Sequence, residues 1–184
     1  MLSQLESLSS NALTLEGVCE LIEKKYHAGI NKSCFIIDQF LTEHPQQRSG
    51  SSTSSELVDL LFHKLRDELT HIFLKESGIL FMCIKKKCKN LTRQQCGCLD
   101  SKVVESVFKT HQVVINITQK LRHILNNYNV PNHCSVEWKA CINEFFQLEN
   151  MILQWIHIEQ NFLYPKIHHT KEVSHQIKGN SNGK

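Results

Sequence analysis

Four stretches of this chain repeat apolar residues at intervals of three and four, and each stops at a proline or a polar loop. That spacing puts the apolar residues on one face of an α-helix, whereas a strand would need strict alternation. The first stretch runs from about Leu15 to His44, with Ile22, Tyr26/His27, Ile30, Cys34 and Ile37 in phase, and Pro45 stops it. The polar segment "PQQRSGSSTSS" that follows reads as a flexible linker. A second helix is expected from near Glu56 to about Ile84, with a stripe through Leu57, Leu61, Leu65, Ile72, Glu76 and Ile79/Leu80. The loop "KKKCKNLTRQQCGCLDS" leads to a third, from about Lys102 to Tyr128, aligning Val104, Val107, His111, Val114, Thr118 and Leu121; Asn-rich residues and Pro131 end it. The fourth starts after Ser135 as N-cap and runs to Tyr164 before Pro165, with Cys141, Phe145, Ile152, Trp155, Glu159 and Leu163 inward. No alternating pattern competes. The expected fold is all-α, an up-down-up-down four-helix bundle over residues 13–167, with a flexible N-terminus at 1–12 and a disordered tail at 168–184.

Composition narrows the class of function. With 184 residues, 41% of them hydrophobic, the chain can bury a core. The net charge of +3 is small, and the one dense basic run, Lys85-Lys86-Lys87-Cys88-Lys89, reads as a solvated loop, so no nucleic-acid partner is expected. No apolar run approaches the roughly 20 residues a bilayer requires, and Met1 to Ser10 lacks the basic-then-apolar order of a secretory signal. The expectation is a soluble cytoplasmic protein without a membrane partner. In that compartment the eight cysteines are expected to be free thiols, Cys34 and Cys141 among them as small core residues. Cys83, Cys88, Cys96 and Cys98 crowd one region, but their spacing lacks the paired knuckles of zinc sites; redox-sensitive loop thiols are the milder reading. A Glu-x-x-His pair, Glu68 and His71, has no second copy. No phosphate-binding loop or nucleophile–base motif is present, so no catalytic residue is assigned.

The inner stripes carry ionisable groups. Glu159 is in phase with Ile152 and Leu163, Glu76 with Ile72 and Leu80, and His27 and His111 lie on the stripes of the first and third helices. A buried carboxylate is costly unless paired or metal-bound. Two carboxylates and two imidazoles converging in a bundle core suit iron, since carboxylates bridge cations and neutral imidazoles complete the shells. Taken singly, each group is explained as an ordinary core or boundary residue; what favours a metal is one group per helix, all in phase.

Three quoted segments carry a family resemblance. "LTLEGVCELIEKKYHAGI", "LRDELTHIFLKESGILF" and the span from "THQVVINITQK" to "HIEQNFLYPKI" resemble the helices of hemerythrin-like (HHE cation-binding) domains, as found in di-iron iron–sulfur cluster repair proteins. The most specific part is the ending, which in the family reads His-x-x-x-Glu-x-Asn-x-Leu-Phe-Pro. The resemblance implies a non-haem di-iron site with His27 and His111 as terminal ligands and Glu76 and Glu159 as bridges. It also implies small ligands such as O2 or NO, iron–sulfur proteins as partners, and a role in cluster repair and nitrosative or oxidative stress.

Two positions depart from the family pattern. The family has a histidine four residues before each bridging glutamate, on the same helix face at roughly 100° per residue; here those positions are Ile72 and Trp155. His71, five residues before Glu76, could substitute only through a π-bulge, and His157 points away from Glu159. The indole of Trp155 offers no in-plane lone pair and fills space. The family's N-terminal cysteine-bearing domain has no counterpart here. Three outcomes stay open: a di-iron site completed by water or a substitute side chain, a single metal, or no metal, with glutamates paired to histidines. In the last case the chain is a degenerate helical bundle acting as an interaction or regulatory module. A secreted four-helix signalling protein is disfavoured.

Overall fold

The computed structural model describes residues 14–44, 52–89, 101–165 and 167. Among them are four long helical rods and no strand. The rod α1 is built from Leu15–Leu21, a π-helical turn Ile22–His27, and Ala28–Glu43. The rod α2 follows the same plan, with Ser52–Lys75, a π turn Glu76–Leu80 and Phe81–Lys89. The rod α3 is regular over Ser101–Ile124, and α4 joins Val136–Ile158 to a third π turn, Glu159–Leu163.

The ends follow local chemistry. The Thr14 hydroxyl accepts from Gly17 N–H at 3.1 Å, and the Ser135 hydroxyl accepts from Trp138 N–H at 3.1 Å, so each satisfies a backbone donor that the first helical turn leaves open. At its C-terminus α3 stops in three consecutive left-handed residues, Asn126, Asn127 and Tyr128, with φ of 51°, 54° and 64°. Asparagine tolerates this region; tyrosine does so poorly. The Tyr128 ring is held against Phe146 of α4, with centroids 5.7 Å apart.

The helices pack mainly as α2 on α3 and α1 on α4. Their shared core includes Ile22, Ile30, Ile37, Phe62, Leu65, Phe145 and Ile152, all buried as the helical spacing requires. The first two turns of the α2 stripe are a correction. Val58 and Phe62 are buried, whereas Leu57 is 42% exposed and Leu61 only half-buried. Apolar residues fill 57, 58, 60, 61 and 62, so two helical phases fit the sequence equally well. Phe62 edge-on to Phe145, centroids 5.7 Å apart, selects one of them. Ile79 is also exposed, and Leu80 alone of that pair faces in.

The predicted N-terminal segment, most of the linker after Pro45, the loop over 90–100 and the tail after 167 lie outside the described residues. No helix among the described residues is long and apolar enough to cross a membrane. Cys34 and Cys141 are buried and outside any disulfide, but Cys83 is disulfide-bonded, so the expectation of free thiols fails there. A compartment argument is blind to local thiol density, and four cysteines fall between positions 83 and 98.

Candidate metal centre

Each π turn bears on one ionisable side chain. His27 ends the turn in α1, Glu76 begins the one in α2, and Glu159 begins the one in α4. A π turn returns a backbone N–H to the carbonyl five residues earlier: Ala28 to Glu23, Phe81 to Glu76, Tyr164 to Glu159. The wider turn changes which side chains stack above one another, and such turns recur at functional sites. His111 comes from the regular helix α3.

All four groups meet in the core. Their exposures are 6% for His27 and 0% for Glu76, His111 and Glu159. The His27 Nε2 lies 2.9 Å from Glu76 Oε2. His111 Nε2 lies 3.1 Å from Glu159 Oε2 and 3.8 Å from Glu76 Oε1, so it touches both acids. The 3.1 Å approach lacks hydrogen-bond direction, and both ring nitrogens of His111 remain without a hydrogen bond. Glu76 Oε1 and Glu159 Oε1 are likewise buried without a partner. Such oxygens carry a desolvation cost that a cation would relieve. Ligand atoms of His27, Glu76 and Glu159 lie within 4.8 Å of one another and could hold a metal ion. The donor set fits: carboxylate oxygens and imidazole nitrogens suit a first-row transition metal.

Without a metal, protonation settles the charges. Burial drives His27 down to about 3. Burial first, then the negative charge of Glu159, raise Glu76 well above the usual carboxylate range. By distance alone His27 and Glu76 would count as an ion pair. Both shifts favour the neutral forms, so the contact is better described as a carboxylic acid donating to an imidazole.

Aromatic rings wall the site. His27 stacks on Phe73 with centroids 3.9 Å apart and on Phe81 at 5.9 Å. Trp155 stands edge-on to His27 at 5.9 Å and to His111 at 5.0 Å. Trp155 and Ile72 are both fully buried, on the same faces as the glutamates four residues on. The helical phase of these positions is therefore as expected, yet neither side chain can donate to a metal. Helix α2 is regular up to Lys75, no π turn separates His71 from Glu76, and His71 is exposed. It does not replace the missing imidazole. His157 is exposed too, hydrogen-bonded to Asn161 at 3.0 Å.

Sequence reasoning missed Tyr164. Its hydroxyl is buried and donates to Glu159 Oε2 at 2.9 Å. Burial, then the charges of Glu159 and Glu76, raise its phenol pKa far above normal. A signal was available: the family ending has Phe where this chain has Tyr164. Two further buried donors, Tyr26 OH and Trp155 Nε1–H, have no hydrogen-bond partner.

The chain is similar to YtfE proteins. Curated relatives from Salmonella paratyphi B and Salmonella newport, each named "Iron-sulfur cluster repair protein YtfE", are 28% identical over 102 residues. One of the same name from Salmonella schwarzengrund is 26% identical over 102 residues. The match covers 55% of this chain and 43% of each of these relatives, so the chain spans less than half the length of the proteins it resembles. No family model matches the chain.

Proposed function

We propose that this chain is a hemerythrin-like, up-down-up-down bundle that binds non-haem iron, with His27 and His111 as terminal ligands and Glu76 and Glu159 as bridges. The observation that carries the reading is the pair of unpartnered oxygens, Glu76 Oε1 and Glu159 Oε1, buried beside two imidazoles. Desolvated carboxylates facing each other need either protons or a cation, and imidazole donors at their flanks favour the cation. The name of the relatives, iron–sulfur cluster repair protein, supports a role for this chain in cluster repair; a part in nitrosative or oxidative stress and a cytoplasmic location belong to the same proposal.

Bound iron would supply reversible binding of O2 or NO, or iron for a damaged cluster. The protein groups have separate tasks. Both imidazoles offer Nε2 to the acids, Tyr164 orients Glu159, and Phe73, Phe81 and Trp155 exclude bulk water. Because Ile72 and Trp155 withhold two donors, iron held by His27, His111, Glu76 and Glu159 would have fewer protein ligands than in a site with a histidine at each of those positions. More of its coordination is left to water, a small ligand or another side chain.

Metal analysis of protein purified anaerobically after iron supplementation tests this. Stoichiometric iron in the wild type, lost in Glu159→Ala with the helical spectrum kept, is the expected result. A second reading rests on Trp155, which is fully buried edge-on to both imidazoles. In that reading the bundle is metal-free and acts as an interaction or regulatory module. No iron after supplementation, with an unchanged melting temperature, would select it.

A further inference from the structure

Tyr164 is joined to Glu159 twice. Its backbone N–H returns to the Glu159 carbonyl, closing the π turn, and its hydroxyl meets Glu159 Oε2 at 2.9 Å. On a regular α-helix, side chains five residues apart diverge by roughly 140°. The π turn removes that divergence and carries the phenol oxygen to the carboxylate.

Glu159 Oε2 therefore has two close neighbours, Tyr164 OH at 2.9 Å and His111 Nε2 at 3.1 Å. The second approach is off the hydrogen-bond direction, although both atoms are fully buried. Two donors at right angles, each about 2.1 Å from one cation, lie about 3.0 Å apart. The spacing of His111 Nε2 and Glu159 Oε2 matches that edge, while that of Tyr164 is equally an ordinary hydrogen bond. The contact between His111 and Glu159 is thus shaped like two ligands of one ion, and the Tyr164 hydroxyl brings a third donor atom to the same corner.

The donor count points the same way. Trp155 and Ile72 lie on the ligand-bearing faces without a lone pair to give, and His71 and His157 are turned to solvent. Tyr164 is a buried oxygen donor already in contact with a proposed ligand.

Resting on the iron-binding reading above, we propose that Tyr164 is a fifth protein ligand of the loaded site, sharing one metal with His111 and Glu159. On ferric iron the phenol O–H bond breaks, an Fe–O bond forms, and the proton leaves to solvent; no electron is transferred. A coordinated phenolate is a strong donor that favours the ferric state, so Tyr164 would also bias the site toward oxidised iron.

The test uses the full chain, loaded anaerobically with ferrous iron and oxidised by air. Metal content is measured beside visible absorbance and resonance Raman spectra. The expected result is a phenolate-to-ferric charge-transfer band, with ring modes of a coordinated tyrosinate enhanced on excitation within it. Tyr164→Phe should keep its iron and lose the band. Iron bound to wild type without such a band overturns the proposal and leaves iron binding intact, with Tyr164 a hydrogen-bond donor only. A band that survives Tyr164→Phe and disappears in Tyr26→Phe also overturns it. A chain that takes up no iron overturns both proposals. Should Tyr164→Phe fail to fold, the wild-type Raman spectrum still decides whether a tyrosinate is bound.

Discussion

Glu76 and His27 touch at 2.9 Å with almost no exposed surface, and their pH responses have opposite signs. His27 titrates near 6.5 when unfolded and about 3 when folded. Its contribution is present above 6.5 and is lost as pH falls toward 3, where the unfolded chain takes a proton that the folded one refuses. Glu76 starts from 4.5 and is raised by folding, so its contribution is present below 4.5 and is lost as pH rises through the folded value. Urea unfolding of the metal-free protein across pH should therefore show His27→Phe flattening the acid limb and Glu76→Gln the alkaline one. Metal must displace the Glu76 proton, so iron affinity should drop as pH falls, and titration in buffers of different ionisation enthalpy should reveal proton release. Trp155→His tests the other residue-scale argument. It adds an imidazole four residues before Glu159 and should tighten iron binding. The lost packing should cost the metal-free fold about 3 kcal/mol in denaturant unfolding. The four inward ionisable groups could be read from helical phase alone, because a period of 3.6 assigns each residue a face. Tyr164 could not, because its phase on a regular helix points it away from Glu159.

The helices owe their limits to short-range chemistry and their irregularities to the core. Ser135→Ala removes the cap of α4 and should lower stability by about 1 kcal/mol without altering bound metal. Gly78 lies in the π turn of α2, and a Cβ added there meets nothing within 4 Å. Gly78→Ala should therefore raise stability by about 0.5–1 kcal/mol through helix propensity, read as a higher denaturation midpoint. The Ser135 cap, the Asn-rich stop of α3 and the end of α1 at Glu43, two residues before Pro45, were legible as sequence signals; Pro165 was expected to close α4 but is no stop, since Tyr164, Pro165 and Ile167 are helical. The three π turns were not. A bulge between His71 and Glu76 was a possibility, but the turn begins at Glu76 itself, and His71 stays in solvent. A π turn has no side-chain signature; it forms where packing on neighbouring helices outweighs the loss of regular geometry.

Across the whole bundle, several ion pairs link helices, most between part-exposed side chains where each contributes little. Arg122 and Glu149 differ, because Glu149 is only 2% exposed. Its two oxygens accept from Arg122 Nε at 2.9 Å and Nη2 at 2.7 Å, joining α3 to α4. Arg122→Ala leaves a buried carboxylate without its cation and should destabilise by about 2 kcal/mol, whereas Leu at both positions should recover most of the loss. Iron at a hundred times its Kd should stabilise the wild type by about 2.7 kcal/mol, seen as a higher melting temperature, and should do nothing for Glu159→Ala. The spacing of apolar residues was enough to specify four helices, most of their inward faces, and the four ionisable groups of the candidate site, since these depend on chain geometry within a few turns. Contacts between helices decided the rest: which of two phases the start of α2 adopts, that burial favours the neutral forms of His27 and Glu76, that Trp155 stands edge-on to both imidazoles, and that Tyr164 reaches Glu159. Each of those depends on distances between segments far apart in sequence, and only packing in three dimensions sets them.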